Sequence, residues 1–328
     1  MSQIRRSFIL LAWGVVLSAG AACGGERADA AGRDAAGREA AVVGVASEFD
    51  GAAALEAVRA QVAFGPRVPG TEAHARAADW LEGELRRRAD TMIVQRWTHT
   101  TAGGRTLPMR NILARFRPDE GRRVLYLAHW DSRPVADSDP DPSKRGVPVP
   151  GANDGGTGVA ILLGVAEAMA RRAPGVGVDL LLVDGEDYGD FESDTDVLIG
   201  SRYFAERLPD PGYAPLFGVL WDMVGDEEPV FKQEAYSVRG APEVVQRVWS
   251  TAQRLGHGAV FSNTTVLGIT DDHVPLLAKG LRVIDVIDLD FPWHHTVADT
   301  PDKVSQRTLQ IVGDVAIALI REVTAPPR

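Results

Sequence analysis

Cysteine is nearly absent: Cys23 is the only one in 328 residues, so no disulfide can form within the chain. A basic excess is absent too. The 35 Lys and Arg are outnumbered by 45 Asp and Glu, and a net charge of −10 argues against a nucleic-acid footprint and suits an acidic, soluble enzyme. No internal repeat is visible, and no composition break separates a second domain. The one extended apolar run, Phe8 to Leu17, is too short to span a bilayer as a mature helix. Between Gly24 and Ser47 aromatic residues are missing, and this Ala-, Gly-, Arg- and Glu-rich stretch cannot bury a core. What remains from Glu48 onward is rich enough in apolar residues, 45% over the whole chain, to enclose one sizeable core.

The N-terminus has the grammar of an address. Arg5-Arg6 precede the apolar run, and the small residues Ser18-Ala-Gly-Ala-Ala22 lead to Cys23, an arrangement that resembles the lipobox of bacterial lipoproteins. The expected organisation is a signal peptide over 1–22, a lipoprotein tether over 23–47 and a single catalytic domain over 48–328. The protein is expected to be exported, periplasmic or outer, touching membrane only through a lipid on Cys23; the alternative is plain secretion with cleavage near Ala22.

Periodicity predicts helices at Ala52–Val62 and Thr71–Arg88 around a Gly-Pro-Arg-Val-Pro-Gly turn, then a hairpin of Met92–Thr98 and Met109–Phe116. Arg123–Ala128, Val178–Val183, Leu216–Trp221 and Leu281–Asp288 read as buried strands. Val159–Arg171 and Lys303–Val323 read as helices. Strands alternating with helices imply an α/β fold, a three-layer αβα sandwich with a mostly parallel, mixed central sheet. Polar clusters fall at strand ends, where open α/β sheets place their sites.

The chain centres on Gly151-Ala-Asn-Asp-Gly-Gly-Thr-Gly-Val-Ala160, where four glycines in ten residues let backbone approach closely and Asp154 stands at the mouth of a helix. A lone Asp there would ordinarily cap the helix. The company it keeps argues otherwise: His129, Glu186-Asp187, Asp222 and His295 each follow a strand, and imidazole plus carboxylate is a donor set that zinc accepts. So many acids in one cleft would repel unless a cation joined them. The loop Ser132–Pro150, with Asp137, Asp139 and Asp141 alternating, begins like a calcium loop. It fails as an EF-hand because Pro140 and Pro142 interrupt it and Val147 and Val149 stand at liganding positions, so it reads as a solvated or lid loop.

The motifs His129-Trp-Asp131, Gly151-Ala-Asn-Asp154, Asp184-Gly-Glu-Asp187, Asp222-Met-Val-Gly225, Asp271-Asp-His-Val-Pro275 and His295-Thr296 together resemble the zinc exopeptidase family that holds leucyl-type aminopeptidases and glutaminyl cyclases. The resemblance spans Phe64 to the C-terminus. It implies that Asp154, Asp187 and His295 hold a first zinc and that Glu186 is the general base. In two-metal members His129 and Asp222 complete a second zinc with Asp154. The Gly65–His74 segment, the Asp139-Pro-Asp-Pro loop and Glu186-Asp-Tyr-Gly189 look like bacterial cyclases of the animal-like type, whereas Asp222-Met-Val-Gly is spelled as in aminopeptidases. Phe191-Glu192 stand where cyclases carry a Trp. The cyclase resemblance gives Asp271 a supporting hydrogen bond in the proton relay, Asp222 the steadying role, and Trp293 a place in the pocket wall.

The chemistry separates the branches. A peptidase needs a water activated by metal as nucleophile, whereas in cyclisation the substrate's own α-amine attacks its γ-carboxamide, and one zinc suffices. The expected activity is zinc-dependent glutaminyl-peptide cyclotransfer, with one zinc per chain and N-terminal segments of peptides or proteins as partners. The alternatives are a two-zinc aminopeptidase and, more distantly, a degenerate binding lipoprotein.

Overall fold

The computed structural model describes residues 47–323. The expected signal peptide, Cys23 and all of the tether except its last residue lie outside the described residues. Among the described residues no helix is long and apolar enough to cross a membrane.

The chain begins with helices α1 (Gly51–Val62) and α2 (Glu72–Arg86). Each is started by a side chain of the type that favours N-caps: Asp50 accepts from the amide of Ala53 at 3.0 Å and Thr71 from that of His74 at 3.2 Å. Strands β1 (Thr91–Thr100) and β2 (Thr106–Phe116) form the expected hairpin, followed by β3 (Arg123–His129), α3 (Gly156–Arg171) and β4 (Gly177–Val183). Next come α4 (Ile199–Glu206), β5 (Phe217–Asp222), β6 (Phe231–Glu234), α5 (Ala235–Gly240), α6 (Pro242–Arg254) and β7 (Phe261–Val266). The last elements are α7 (His273–Ala278), β8 (Val283–Ile287) and α8 (Gln306–Arg321).

The main sheet runs β1-β2-β4-β3-β5-β8, with β4, β3, β5 and β8 parallel and the hairpin antiparallel along one edge. Alternation along the strands sorts the core into two layers. Tyr126, Ala128, Leu180, Leu182, Val219 and Trp221 pack with α1, α3 and α8, while Leu125, Leu127, Leu181, Val183 and Leu220 meet Phe204 of α4 and Leu276 of α7. This is the mixed three-layer αβα sandwich expected from the sequence. Helix α3 lies so close to the sheet that a Cβ on Gly158 would stand 2.0 Å from the carbonyl oxygen of Trp221. A glycine is therefore needed where the helix crosses the end of β5.

The segment between β5 and β8 was not anticipated as structure. A second, two-stranded parallel sheet (β6-β7) with α5 and α6 fills it. Its buried Glu234 accepts from the amides of Ser237 at 2.6 Å and Ile269 at 3.0 Å and lies 3.1 Å from His273 Nε2. That ties the small sheet to the turn carrying Asp271.

Candidate metal and proton-transfer site

Four parallel strand ends deliver the site. His129 closes β3, Asp184 to Asp187 follow β4, Asp222 closes β5, and His295 lies in the loop after β8. Strand β3 leads to β4 on one side and the chain then returns to β5 on the other, so the site occupies the topological switch point of the sheet. Asp154 lies two residues before α3, and the cap position is Gly155, with φ of 79° and no side-chain cap bond. Asp154 is thus not spent on capping.

The structure brings Asp154, Asp187 and His295 together. His295 Nε2 is 3.5 Å from Asp154 Oδ2 and 3.4 Å from Asp187 Oδ1. Both Asp154 Oδ2 and Asp187 Oδ2 are buried without any hydrogen-bond partner. Unsatisfied buried carboxylate oxygens are costly, and two aspartates that each carry one and both approach the same imidazole nitrogen fit a dication with mixed N and O donors such as zinc. Beside them, His129 Nε2 is 3.1 Å from Asp154 Oδ1 and 3.1 Å from Asp222 Oδ1. That nitrogen can share a proton between the two carboxylates or, deprotonated, offer its lone pair to a cation seated among the three.

Glu186 is buried, its carboxylate 4.0 Å from His129 Nδ1. Its pKa is pushed well above the ordinary range by burial; His129 opposes this, and the charges of Asp271, Asp187 and Asp272 add to it. Asp271 is raised likewise, by burial and then by Asp222 and Asp272. Burial alone would also raise Asp154, but the hydrogen bond and charge of His129, with His295 and His294, hold it well below its usual value. His129 rises despite burial because Asp222, Asp131 and Asp154 surround it. The site therefore pairs one carboxyl kept ionised with others poised to carry a proton.

Asp222 stands with His129 and Asp154, the set expected for a second metal, and its charge also reaches Asp271. Its Oδ1 accepts from the amide of Met223 at 2.8 Å and meets His129, whereas Asp271 has Asp285 and His273 as neighbours, with ligand atoms within 4.8 Å. Trp293 is 39% exposed, its ring 5.1 Å from Lys303 Nζ, so it is not a core residue. A cleft of about 640 Å³ lies between α4 and α7, walled by Phe191, Leu198, Thr270 and Val274, and the metal-site side chains do not line it.

The roles of several supporting residues are not evident from the sequence, although Asp131 and Asp137 stand in segments singled out there. Asp131 accepts from the amides of Glu186 at 3.1 Å and Asp187 at 3.3 Å, fixing the acid pair. Asp299 does the same for the metal loop, through the amides of Asn153 at 2.8 Å and Asp154 at 3.1 Å, and burial with the nearby Asp154 charge raises it to about 7. Arg133 donates to Asp187 Oδ1 at 2.7 Å and grips Asp137 through Nε at 2.9 Å and Nη2 at 2.6 Å. Asp137 Oδ1 in turn lies 3.5 Å from His295 Nδ1, an outer carboxylate that orients the ring. The 132–150 loop is accordingly no free lid. Asp139 is buried and accepts from the amide of Val297 at 3.1 Å, and the amide of Ser138 donates to the carbonyl of His295 at 3.2 Å. The alternating acids mark a clamp on the histidine segment, a purpose their spacing alone does not reveal.

A mixed α/β sheet with imidazoles and unpaired carboxylates gathered at the switch point of its parallel strands is the arrangement of a metal-dependent enzyme. The model of peptidase family M28 matches residues 111–320. The chain belongs to that family. Among solved structures it is similar to the glutaminyl cyclase of Tannerella forsythia, at 39% identity and a TM-score of 0.80 over 84% of this chain and 99% of that one. It is also similar to a leucine aminopeptidase precursor from Bacteroides thetaiotaomicron, at 35% identity and a TM-score of 0.81 over 84% and 97%. A mouse glutaminyl-peptide cyclotransferase-like protein is 26% identical over 287 residues, 78% of this chain and 72% of that protein.

Proposed function

We propose that the protein is a glutaminyl-peptide cyclotransferase, converting N-terminal Gln to pyroglutamate with release of ammonia and acting on N-terminal segments of peptides or proteins. The observation that carries this reading is His129 Nε2, 3.1 Å from both Asp154 and Asp222. A protonated imidazole there can balance these two carboxylates, so that the one metal held by Asp154, Asp187 and His295 is enough for the reaction. The cyclases among the similar structures support the same choice.

Asp154, Asp187 and His295 would hold zinc, which when bound supplies a Lewis acid to the γ-carbonyl. Glu186, its pKa raised by burial, accepts a proton from the α-amine as that nitrogen bonds to the carbonyl carbon of the side-chain carboxamide. It returns the proton to the amide nitrogen as the old C–N bond breaks and ammonia leaves. Asp131 holds Glu186 and Asp187 in register through their amides. Asp271, beside Asp285, shares this acidic pocket, and whenever it ionises its charge raises the proton affinity of Glu186. Trp293, at the rim, would flank the glutaminyl side chain.

A two-metal aminopeptidase is the second reading, because His129, Asp154 and Asp222 are also close enough together to hold an ion. Zinc content measured alongside ammonia release from a Gln-initiated peptide tests the choice. One zinc with stoichiometric ammonia supports the cyclase, and two zinc with free amino acids supports the peptidase.

A further inference from the structure

His294 is unused by the account so far, yet it does not point away from the site. Its Nε2 lies 3.9 Å from Asp154 Oδ2, the same orphaned oxygen that His295 approaches. Single donor atoms of Asp154, His294 and His295 fall within 4.8 Å of one another. Consecutive residues of an extended chain face opposite ways, so two neighbouring rings on one side need a special backbone. His295 provides it, with a φ of 54° in the left-handed region. For a residue with a Cβ this conformation is strained and persists only where its surroundings impose it. Here the turn is pinned by the amide of Thr296 on the carbonyl of Trp293 at 3.1 Å and by the amide of Ser138 on the carbonyl of His295 at 3.2 Å. The result places the two ring centroids 3.7 Å apart.

We propose that His294 is a fourth, displaceable ligand of the metal that Asp154, Asp187 and His295 hold. This rests on the zinc reading above. Three protein ligands leave zinc an open catalytic position and four close it. His294, with 37% of its side chain exposed, has room to swing out and so can close the centre at rest and yield to substrate.

The test uses zinc-free protein, reloaded with zinc in competition with a chelator and, separately, with Co(II) followed by visible absorption. H294A, and H294Q as a polar variant without imidazole, should bind zinc at least about tenfold more weakly than wild type. Their Co(II) spectra should differ from wild type and return toward it on adding free imidazole. Wild-type affinity and an unchanged Co(II) spectrum in both variants would overturn the inference while leaving the three-ligand site standing. H295A separates the two claims, since it should bind metal far more weakly than either His294 variant. A wild-type protein that takes up neither ion would overturn the zinc reading and this inference with it.

Discussion

Strand β4 carries buried carboxylates at both ends, and the two ends treat them in opposite ways. Near its start, Asp179 has all its acceptor positions used. Oδ1 takes Arg115 Nε at 3.1 Å and Arg123 Nη2 at 2.6 Å, and Oδ2 takes Arg123 Nε at 2.7 Å and the Tyr213 hydroxyl at 2.9 Å. Past its end, Asp187 keeps Oδ2 without a partner, Glu186 is crowded by other acids, and Asp154 across the loop has an orphaned oxygen too. Burial is the same at both ends; satisfaction is not. A buried carboxylate balanced by cations holds the fold together, whereas one left short of donors is reserved for something that arrives later.

The sharpest way to break this contrast is at the satisfied end. Asp179→Ala leaves the buried Arg123 guanidinium without its anion and Arg115 with Asp210 alone, and should cost about 3–5 kcal/mol in denaturant unfolding. Activity per folded molecule should hardly change, so a catalytic loss without a stability loss would refute the assignment. At the other end, Glu186→Gln should reverse the pattern. Turnover should fall by roughly 10²-fold or more, the scale of general base catalysis, with zinc content and unfolding midpoint kept or raised. His129→Ala should lower turnover about 10-fold by loosening Asp154 and Asp222 if the enzyme is a cyclase, and should abolish it if a second metal is essential.

The smallest effect is one of pH on zinc-free protein. Burial raises Asp272 to about 7 and Asp288 to about 6, above the ordinary carboxylate value. The folded chain then holds protons that the unfolded chain has already released, so stability is fully present in acid and falls as pH rises through about 4 to 7. Glu234, held near about 2 against burial by His273 and backbone amides, works in the other sense, but only below about pH 4. The thermal midpoint should therefore be lower at about pH 8 than at about pH 5. Asp272→Asn should flatten the slope, and an unchanged slope would place the titrating group elsewhere.

The sandwich was legible because β3, β4 and β5 are buried on both faces and so read as apolar runs, and because α1, α3 and α8 keep helical spacing. The segment between β5 and β8 was harder, since β7, Phe-Ser-Asn-Thr-Thr-Val, is largely exposed and carries little apolar signal. Helix α6 could have been found. Pro242 at its start and Val244, Val245, Val248, Trp249 and Ala252 at helical spacing were in view. In the site, the residues that would touch metal stand in short motifs, but Asp131, Arg133, Asp137 and Asp299 act through backbone amides and neighbouring carboxylates. Their roles depend on loops meeting in space, and nothing local in the sequence encodes such a meeting.

The most direct measurement is the mass of a Gln-initiated peptide after incubation with the zinc-loaded protein. The account predicts a product lighter by one ammonia, with every peptide bond intact and no such product from Glu186→Gln. A peptide shortened by its first residue, with none of the cyclised form, would contradict it.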